Sequence, residues 1–461
     1  MSVKSTLEDF NRMRLQFNNL KIVSAVERFL GQESTGGFLL FGAAVLAMII
    51  ANSPLSAQYF DFLHIEAGIN VGDFHLEMSL AHWINDGLMA LFFLLIGLEI
   101  KRELMVGELS SPAKAAFPAI GALGGMLVPA GIYLAINMAD GGKAHGFGIP
   151  MATDIAFALG FLMLLGKRVP LALKVFLVSL AVIDDLGAIL IIAVAYSSNL
   201  DWGSLGMAGV VVAGLIMLNA GGVKKLTPYL ALGLILWFFV FESGIHATIA
   251  GVLLALTIPV RQKISSKEFV DTCNLELEAF SGAESRRKNV LLNSEQQDAV
   301  EKIGAAYEHV QNPLLRLEHA LHPISAFFIM PVFALANAGV AIGGDIEMVQ
   351  PITLGIMAGL LIGKPVGIIG LTWLISKIGW IAKPATCQWN HIIGAGLLAG
   401  VGFTMSIFIT GLAFTDVGSI DSAKLAIVGT SLVAGIIGVL FLLKQPATDT
   451  CTLEPEKPTK H

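Results

Sequence analysis

Charged side chains are scarce in this chain. They make up only 14% of its 461 residues, whereas an ordinary soluble domain carries about 25%. The mean hydropathy of +0.74 is also far above the range of soluble proteins. So few charges cannot cover a globular surface in water, which excludes an ordinary soluble protein and indicates that a lipid bilayer solvates most of the chain.

Cysteine is also rare, and the three present are far apart: Cys273, Cys387 and Cys451. An odd, scattered set predicts neither a disulfide framework nor a cysteine metal site. The net charge of −6 does not suggest a nucleic-acid partner, and we expect no cofactor. The first thirty residues are polar and basic and lack an apolar core with a cleavage site, so no signal peptide is expected.

Long apolar runs are abundant instead. A membrane-spanning helix needs roughly 20 such residues. Twelve runs are found, at about residues 36–51, 80–100, 116–136, 146–165, 171–195, 205–219, 228–241, 245–258, 324–341, 352–375, 392–414 and 425–443. The seventh and eighth are short, and merging them would give eleven spans.

The charges between the runs favour twelve spans. Lys and Arg mark cytoplasmic loops, and basic segments alternate with acidic or weakly basic ones along the whole chain. Twelve spans keep this alternation and place both termini in the cytoplasm of a bacterial inner membrane. The predicted organisation begins with a cytoplasmic N-terminal segment (1–32) and spans 1–8 (33–260). A cytoplasmic linker (261–313), spans 9–12 (314–443) and a cytoplasmic tail (444–461) follow.

Two polar segments have patterns of their own. The linker is rich in Glu, Gln and Ser, and Val300, Ile303 and Tyr307 have helical spacing. The outer loop at about 63–80 alternates apolar and polar residues on two arms, with Gly68, Asn70 and Gly72 between them. Period-two alternation around such residues predicts a small β-hairpin, although a plain structured loop is the alternative.

The ionisable side chains within the apolar runs include an unusual set, Asp154, Asp184, Asp185 and Lys364, none of which is close enough to a span end to reach the interface easily. Each costs roughly 2.5–3.5 kcal/mol on insertion scales, so function is the first hypothesis. Asp184 and Asp185 are adjacent and point about 100° apart on a helix. One can therefore face a cavity while the other faces a neighbouring span. A pair retained only for packing would be a costly alternative.

Three carboxylates against one lysine leave an excess of negative charge. Burial and like charges favour the protonated form of a carboxylate. The site should therefore hold either protons or a cation near neutral pH, which are the two states that an antiporter needs. A small hard cation such as Na⁺ prefers oxygen ligands, which the carboxylates, the Thr153 hydroxyl and backbone carbonyls could supply.

Glycine and proline interrupt two of the apolar runs. The breaks lie just before Thr153-Asp154 in the fourth run and before Phe403-Thr404 in the eleventh. Paired interrupted spans mark transporter binding sites, a rule drawn in part from the family named below. Close helix packing is the alternative for single glycines, and it is favoured for Gly394 and Gly396. The interrupting residues are Gly146, Gly148 and Pro150 in the fourth run and Gly394, Gly396, Gly400 and Gly402 in the eleventh.

A second charged cluster lies at the predicted cytoplasmic ends of spans. Glu99 and Arg102 end the second span, and Glu318, His319 and His322 begin the ninth. Histidine titrates near pH 6.5, so the cluster could respond to cytoplasmic pH. Interfacial charges that only anchor helices are the alternative.

The sequence resembles the NhaA family of bacterial Na⁺/H⁺ antiporters from about residue 31 to 443. Each motif is weak alone, but the set is specific: Gly97-Leu-Glu-Ile-Lys-Arg-Glu-Leu104, Ala152-Thr-Asp-Ile-Ala-Phe-Ala-Leu159, Val182-Ile-Asp-Asp-Leu-Gly187, Ser243-Gly-Ile-His-Ala-Thr248, Leu361-Ile-Gly-Lys-Pro365 and Gly402-Phe-Thr-Met-Ser-Ile-Phe408.

The resemblance implies an all-α fold of twelve transmembrane helices, with inverted repeats and two broken helices crossing at mid-membrane. It implies that Asp184 and Asp185 bind Na⁺, Li⁺ or protons, that Asp154 compensates helix ends beside Thr153, and that Lys364 pairs with Asp184. The second charged cluster would be the pH-response region, and the outer hairpin would join a homodimer. The linker and the N-terminal segment depart from the family pattern.

The expected function is a pH-regulated, electrogenic Na⁺(Li⁺)/H⁺ antiporter without enzymatic activity. One alternative is a sodium-coupled organic-solute symporter on a similar fold, for which the sequence offers no added pocket. Another is an intramembrane aspartyl protease, because aspartates on neighbouring spans could form a catalytic dyad. Lys364 and the interrupted, threonine-bearing spans argue against the protease.

Overall fold

A computed structural model describes residues 33–71, 74–138, 141–197, 200–260, 264–283, 294–342, 350–381, 383 and 387–445. This part of the chain is mostly helical, and its one sheet has two strands. The predicted helical class and the small hairpin are therefore confirmed.

The helices are numbered here in chain order. They are α1 (Glu33–Ala51), α2 (Ser56–Leu63), α3 (Leu80–Met105), α4 (Pro112–Asn137), α5 (Ile155–Leu164), α6 (Leu171–Ala195), α7 (Trp202–Ala220), α8 (Leu226–Glu242), α9 (Thr248–Thr257), α10 (Ser266–Gly282), α11 (Ser294–Val310), α12 (Pro313–Asn337), α13 (Pro351–Ile378), α14 (Trp389–Ala399), α15 (Phe403–Ala413) and α16 (Val417–Leu443). A 3₁₀ helix at Ala144–Met151 precedes α5.

Within the described residues, eight helical segments are long and apolar enough to cross a membrane. They are α3, α4, the segment Ala144–Leu164, α6, α7, α12, α13 and α16. Two further pairs are bent at short breaks, α1 with α2 by 116° and α14 with α15 by 43°, which gives up to ten spans. The chain is thus a multi-pass membrane protein, as predicted. The remaining apolar helices, α8 and α9, have 17 and 10 residues, fewer than the roughly 20 of a typical span.

The ends of α12 differ from the predicted ninth run. The apolar run was placed at about 324–341, but the helix begins at Pro313 and ends at Asn337. Its first turns contain Glu318 and two histidines, so hydropathy alone misses them. Asn312 begins the helix by accepting a hydrogen bond from the Leu314 backbone N–H at 3.0 Å, which is the usual role of an N-cap residue.

The hairpin consists of β1 (Glu66–Val71) and β2 (Phe74–Ser79), which pair antiparallel from Glu66 opposite Ser79 to Val71 opposite Phe74. Gly68 and Asn70 lie within β1, so their predicted place between the arms is wrong. The Trp83 indole at the start of α3 donates to the Ala67 carbonyl at 2.7 Å and ties the hairpin to the helices.

The linker contains α10 and α11, which pack against each other. Ala299 and Ala306 are the buried apolar residues of α11, whereas Val300 and Tyr307 are exposed. Lys302 lies 3.3 Å from the buried carboxylate of Glu276 and joins the two helices by an ion pair.

Candidate ion-binding site

The fourth apolar run is interrupted next to its aspartate. The 3₁₀ helix ends at Met151, Ala152 is extended, and α5 begins at Ile155. Asp154 is the N-cap of α5 and accepts a hydrogen bond from the Phe157 N–H at 2.9 Å. The break thus leaves backbone groups free of helical partners and puts a carboxylate beside them.

The eleventh run breaks at Gly400–Gly402, between α14 and α15. A Cβ added at Gly402 would lie 2.2 Å from Ser406 Oγ of α15 itself and 3.2 Å from the Ala152 carbonyl of the other break, so the two breaks pack closely at this glycine. Gly394 lies inside α14, where an added Cβ would be 2.3 Å from Leu442. Its role is close packing, as expected.

The two breaks are joined by hydrogen bonds. The Asp154 N–H donates to the Val401 carbonyl at 2.8 Å. Asp154 Oδ2 accepts from the Thr404 N–H at 3.0 Å and from the Thr404 hydroxyl. One carboxylate therefore caps the N-terminal ends of both α5 and α15, where backbone dipoles give a partial positive charge.

Lys364 belongs to α13 and contacts the last residue of the 3₁₀ helix. Its ammonium donates to the Met151 carbonyl and lies 3.1 Å from Asp184 Oδ2. Thr153 Oγ1 donates to the same Asp184 oxygen at 2.7 Å and lies 3.2 Å from the Ala399 carbonyl, the last residue of α14. All of these side chains are almost fully buried. The negative charge of Asp184 is therefore already balanced.

Asp185 differs from its neighbour. It is 1% exposed, and its Oδ1 has no hydrogen-bond partner among the described residues. Oδ1 of Asp184 has none either, but Asp184 Oδ2 is held by Lys364 and Thr153. Asp185 and Asp154 line a cavity of about 140 Å³ together with Glu99 and His322. A buried oxygen without a donor is costly, so a proton or a cation at Asp185 would remove that cost.

The cavity connects the aspartates to part of the second charged cluster. Glu99 and His322 line it, whereas His319 is exposed and is not among the lining residues. Glu318 is buried, with Oε1 3.4 Å from Arg102 Nε. The structure thus brings α3 and α12 together at these residues. In the described part of the chain, no group of three or more His, Cys, Asp or Glu could hold a metal ion.

Sequence reasoning assigned no contact to two residues of the site. Thr404 bonds Asp154, and Ser431 accepts from the Phe403 N–H at 3.1 Å and caps α15. Thr404 stands inside a family motif quoted above, which was the available signal. Ser431 stands in an ordinary apolar run and gave none.

The fold and these contacts define a class. Buried carboxylates and a buried lysine, gathered where two helices of a multi-pass membrane protein are interrupted, are typical of an ion-coupled transporter.

Comparison with known sequences identifies the family. The sequence model described as Na⁺/H⁺ antiporter 1 matches residues 27–442, and the chain belongs to this family. A Na⁺/H⁺ antiporter NhaA of Wolinella succinogenes is 54% identical over 432 residues, covering 92% of this chain and 95% of the relative. A Na⁺/H⁺ antiporter named NhaA 2 from Helicobacter hepaticus is 52% identical, covering 92% of this chain and 96% of the relative. A Na⁺/H⁺ antiporter NhaA of Helicobacter pylori is 53% identical, covering 90% of this chain and 94% of the relative.

Proposed function

We propose that this protein is a Na⁺/H⁺ antiporter that exports Na⁺ in exchange for protons, with both ions competing for Asp184 and Asp185. The single observation that carries this proposal is the buried, unpartnered carboxylate oxygen of Asp185 at a cavity. The names of the relatives, all Na⁺/H⁺ antiporters, support the choice of ions.

The arrangement of charge supports a division of labour among the three aspartates. Asp154 balances two helix N-terminal ends, and Lys364 balances Asp184. Asp185 has no such partner, so it is the group that needs a proton or a cation. Na⁺ bound there would draw oxygen ligands from Asp185, from Asp184 and from the hydroxyl of Thr153.

Competition at one site is sufficient for obligatory exchange. A protonated carboxylate is a poor ligand for Na⁺, and bound Na⁺ lowers the affinity of the carboxylate for protons. If both aspartates release protons for one Na⁺, transport moves net charge and responds to the membrane potential. Li⁺, another small hard cation, would use the same oxygens.

We propose twelve spans with both termini in the cytoplasm of the inner membrane. The eight long segments, the two bent pairs and the shorter helices α8 and α9 supply twelve. The interruptions in the fourth and eleventh spans would be the crossing pair of the inverted repeats. Residues 33–260 and 314–443 would form the membrane part, and residues 1–32, 261–313 and 444–461 would be cytoplasmic.

We further propose a homodimer through β1 and β2, because a two-stranded hairpin has open edges that can pair with a second copy. The pH response would lie with Glu99, Arg102, Glu318, His319 and His322. Its support is the cavity that Glu99 and His322 share with Asp185.

The alternatives fit the site less well. An organic solute generally needs a pocket of about 300–1,000 Å³, whereas the cavity at Asp185 has about 140 Å³. An aspartyl dyad needs two carboxylates that share a proton. Both oxygens of Asp154 are engaged by α5 and α15, and Asp184 is bonded to Lys364 and Thr153.

The test is Na⁺ affinity, measured by calorimetry across pH on purified wild-type protein and on Asp185→Asn. Wild-type affinity should weaken about tenfold per pH unit lowered for each proton displaced. Asp185→Asn should lose Na⁺ binding and exchange, because a ligand and a titrating group vanish together. Asp201→Asn is the matched control, since Asp201 is an exposed N-cap of α7. Affinity that is independent of pH, or exchange that persists in Asp185→Asn, would refute the shared site.

A further inference from the structure

A recessed apolar groove lies on the surface of the helical part between α1 and α16, with α5 at its floor. It has two adjoining lobes of about 170 and 340 Å³. Both lobes contact Phe41, Phe157 and Leu432, so they form one groove. We call it the α1–α16 groove, and the residues that define it here are Gly37, Phe41, Ile49, Phe157, Phe403 and Leu432.

The interrupted fourth span explains why the groove exists. α5 starts only at Ile155, and an extended segment precedes it. Beyond Phe157, the described residues that line the groove belong mainly to α1, α15 and α16, and no described helix continues α5 in that direction. The floor is formed instead by Phe157 and Phe403, whose rings lie 5.1 Å apart and are only 6% and 3% exposed. The walls are exposed apolar residues such as Phe41 and Ile49.

The lining offers an occupant at most one hydrogen bond, from the hydroxyl of Ser431. Its only polar side chains, among the described residues, are Asn52 and Ser431. Asn52 donates to the Met48 and Val340 carbonyls and accepts from Ile342. Ser431 already accepts from Phe403. A polar solute would lose most of its hydrogen bonds to water here without replacement, so the lining favours an apolar occupant.

The dimensions match an alkyl chain. From Gly37 to Ile49 the groove follows α1 for roughly 18 Å at 1.5 Å per residue, slightly more than the ~15 Å depth of one leaflet of the hydrocarbon core. An apolar cavity of about 150 Å³ accommodates a six-carbon ring. By that measure the two lobes hold on the order of twenty carbons.

We propose that the α1–α16 groove is a binding site for one acyl chain of a membrane phospholipid. The chain would lie against the first turns of α5 and α15, where the Phe157 N–H bonds Asp154 and the Phe403 N–H bonds Ser431. This inference does not depend on the identity of the transported ions.

The test is photolabelling of the full-length protein in phospholipid vesicles. They contain a small fraction of phosphatidylcholine with a diazirine midway along one acyl chain, and adducts are mapped by mass spectrometry. Adducts should concentrate on α1 and α16 relative to α7, which has comparably exposed apolar residues such as Val210. Leu432→Trp fills the groove and should reduce those adducts several-fold. Leu440→Trp, on the same helix and outside the lining, is the matched control.

Three results would overturn the proposal. Equal labelling of α7 and the groove would mean that only ordinary annular lipid is present. Equal adduct yields in Leu432→Trp and Leu440→Trp would mean that the groove does not hold the chain. Adducts that excess isoprenoid quinone removes and excess phospholipid does not would assign the groove to a different alkyl compound.

Discussion

Removing the ammonium group of Lys364 should destabilise the protein strongly, through Asp184 rather than through lost packing. Lys364 is fully buried, and its Nζ serves both Asp184 Oδ2, at 3.1 Å, and the carbonyl of Met151. In Lys364→Ala, Asp184 keeps only the Thr153 hydroxyl as a donor. Breaking a buried ion pair from one side typically costs about 3–5 kcal/mol, because the remaining charge is left without compensation.

The matched control lies on the same helix. Lys377 is exposed near the end of α13, with Nζ 4.7 Å from the centre of the Trp373 ring. An exposed cation–π contact contributes about 0.5–1 kcal/mol. Lys377→Ala should therefore lower the free energy of unfolding far less than Lys364→Ala does.

A double mutant isolates the cause. In Lys364→Ala/Asp184→Asn the uncompensated charge is gone, so the double variant should be more stable than Lys364→Ala alone. A coupling within the range of about 0.5–3 kcal/mol is expected for residues in direct contact. The deficit of Lys364→Ala should also shrink as the pH falls, because a proton on Asp184 removes the same charge.

The assay is unfolding of the purified protein in detergent, followed by circular dichroism at several pH values. Two results would refute the reasoning: a double variant no more stable than Lys364→Ala, or a Lys364→Ala deficit equal to that of Lys377→Ala. Either would mean that Lys364 acts by filling space, and the proposed charge balance at Asp184 would fail with it.

Three other perturbations test the remaining proposals. Na⁺-dependent ΔpH dissipation is measured in everted vesicles across pH. Glu318→Gln should shift the pH at which this activity appears more than it changes the maximal rate. An unchanged pH profile with a lower rate would contradict a role in pH response. Replacing residues 68–77 by Asn-Gly, a two-residue turn, should weaken the homodimer in detergent and leave exchange intact; a fully dimeric variant would exclude the hairpin contact. Lys143 donates to Asp416 and holds the pKa of that exposed carboxyl below its usual range. The pair therefore stabilises the protein above about pH 3.9, the ordinary value, and that contribution is lost as the pH falls through the lowered pKa. Lys143→Gln should cost at most about 1 kcal/mol at pH 7 and less in acid; a deficit that grew in acid would contradict the sign.

Hydropathy and loop charge predicted the membrane class and most helices, because the cost of exposing polar backbone to lipid leaves few choices. The ends were predicted less well where a helix continues beyond the apolar run. α12 begins eleven residues before the predicted run at 324 because its first turns carry polar side chains such as Glu318. The hairpin was recognised from its alternation, but Gly68 and Asn70 belong to β1 since strand pairing outweighs their weak strand preference.

At the candidate site, residues could be recognised in the sequence because inserting an ionisable side chain into a membrane costs free energy. Asp154, Asp184, Asp185 and Lys364 are conspicuous because an ionisable group in an apolar run needs a reason. Ser431 is not ionisable, so it does not stand out in this way. Its role depends on its position in the fold, because it accepts a hydrogen bond from the Phe403 N–H, 28 residues earlier in the chain. A capping contact between separate helices depends on how those helices pack, which no local pattern contains.

Counting formal charges in the sequence overstated the negative excess at the site. Three carboxylates and one ammonium suggest two uncompensated charges, but that count ignores the backbone. Each helix N-terminal end carries roughly half a positive charge, and Asp154 accepts hydrogen bonds at two such ends. Its charge is therefore largely balanced by α5 and α15, and that of Asp184 is balanced by Lys364. Of the three aspartates, Asp185 alone lacks such a counter-charge, and it lies at the cavity. One proton or one monovalent cation would neutralise it, whereas transport that moves net charge requires the second proton to come from Asp184.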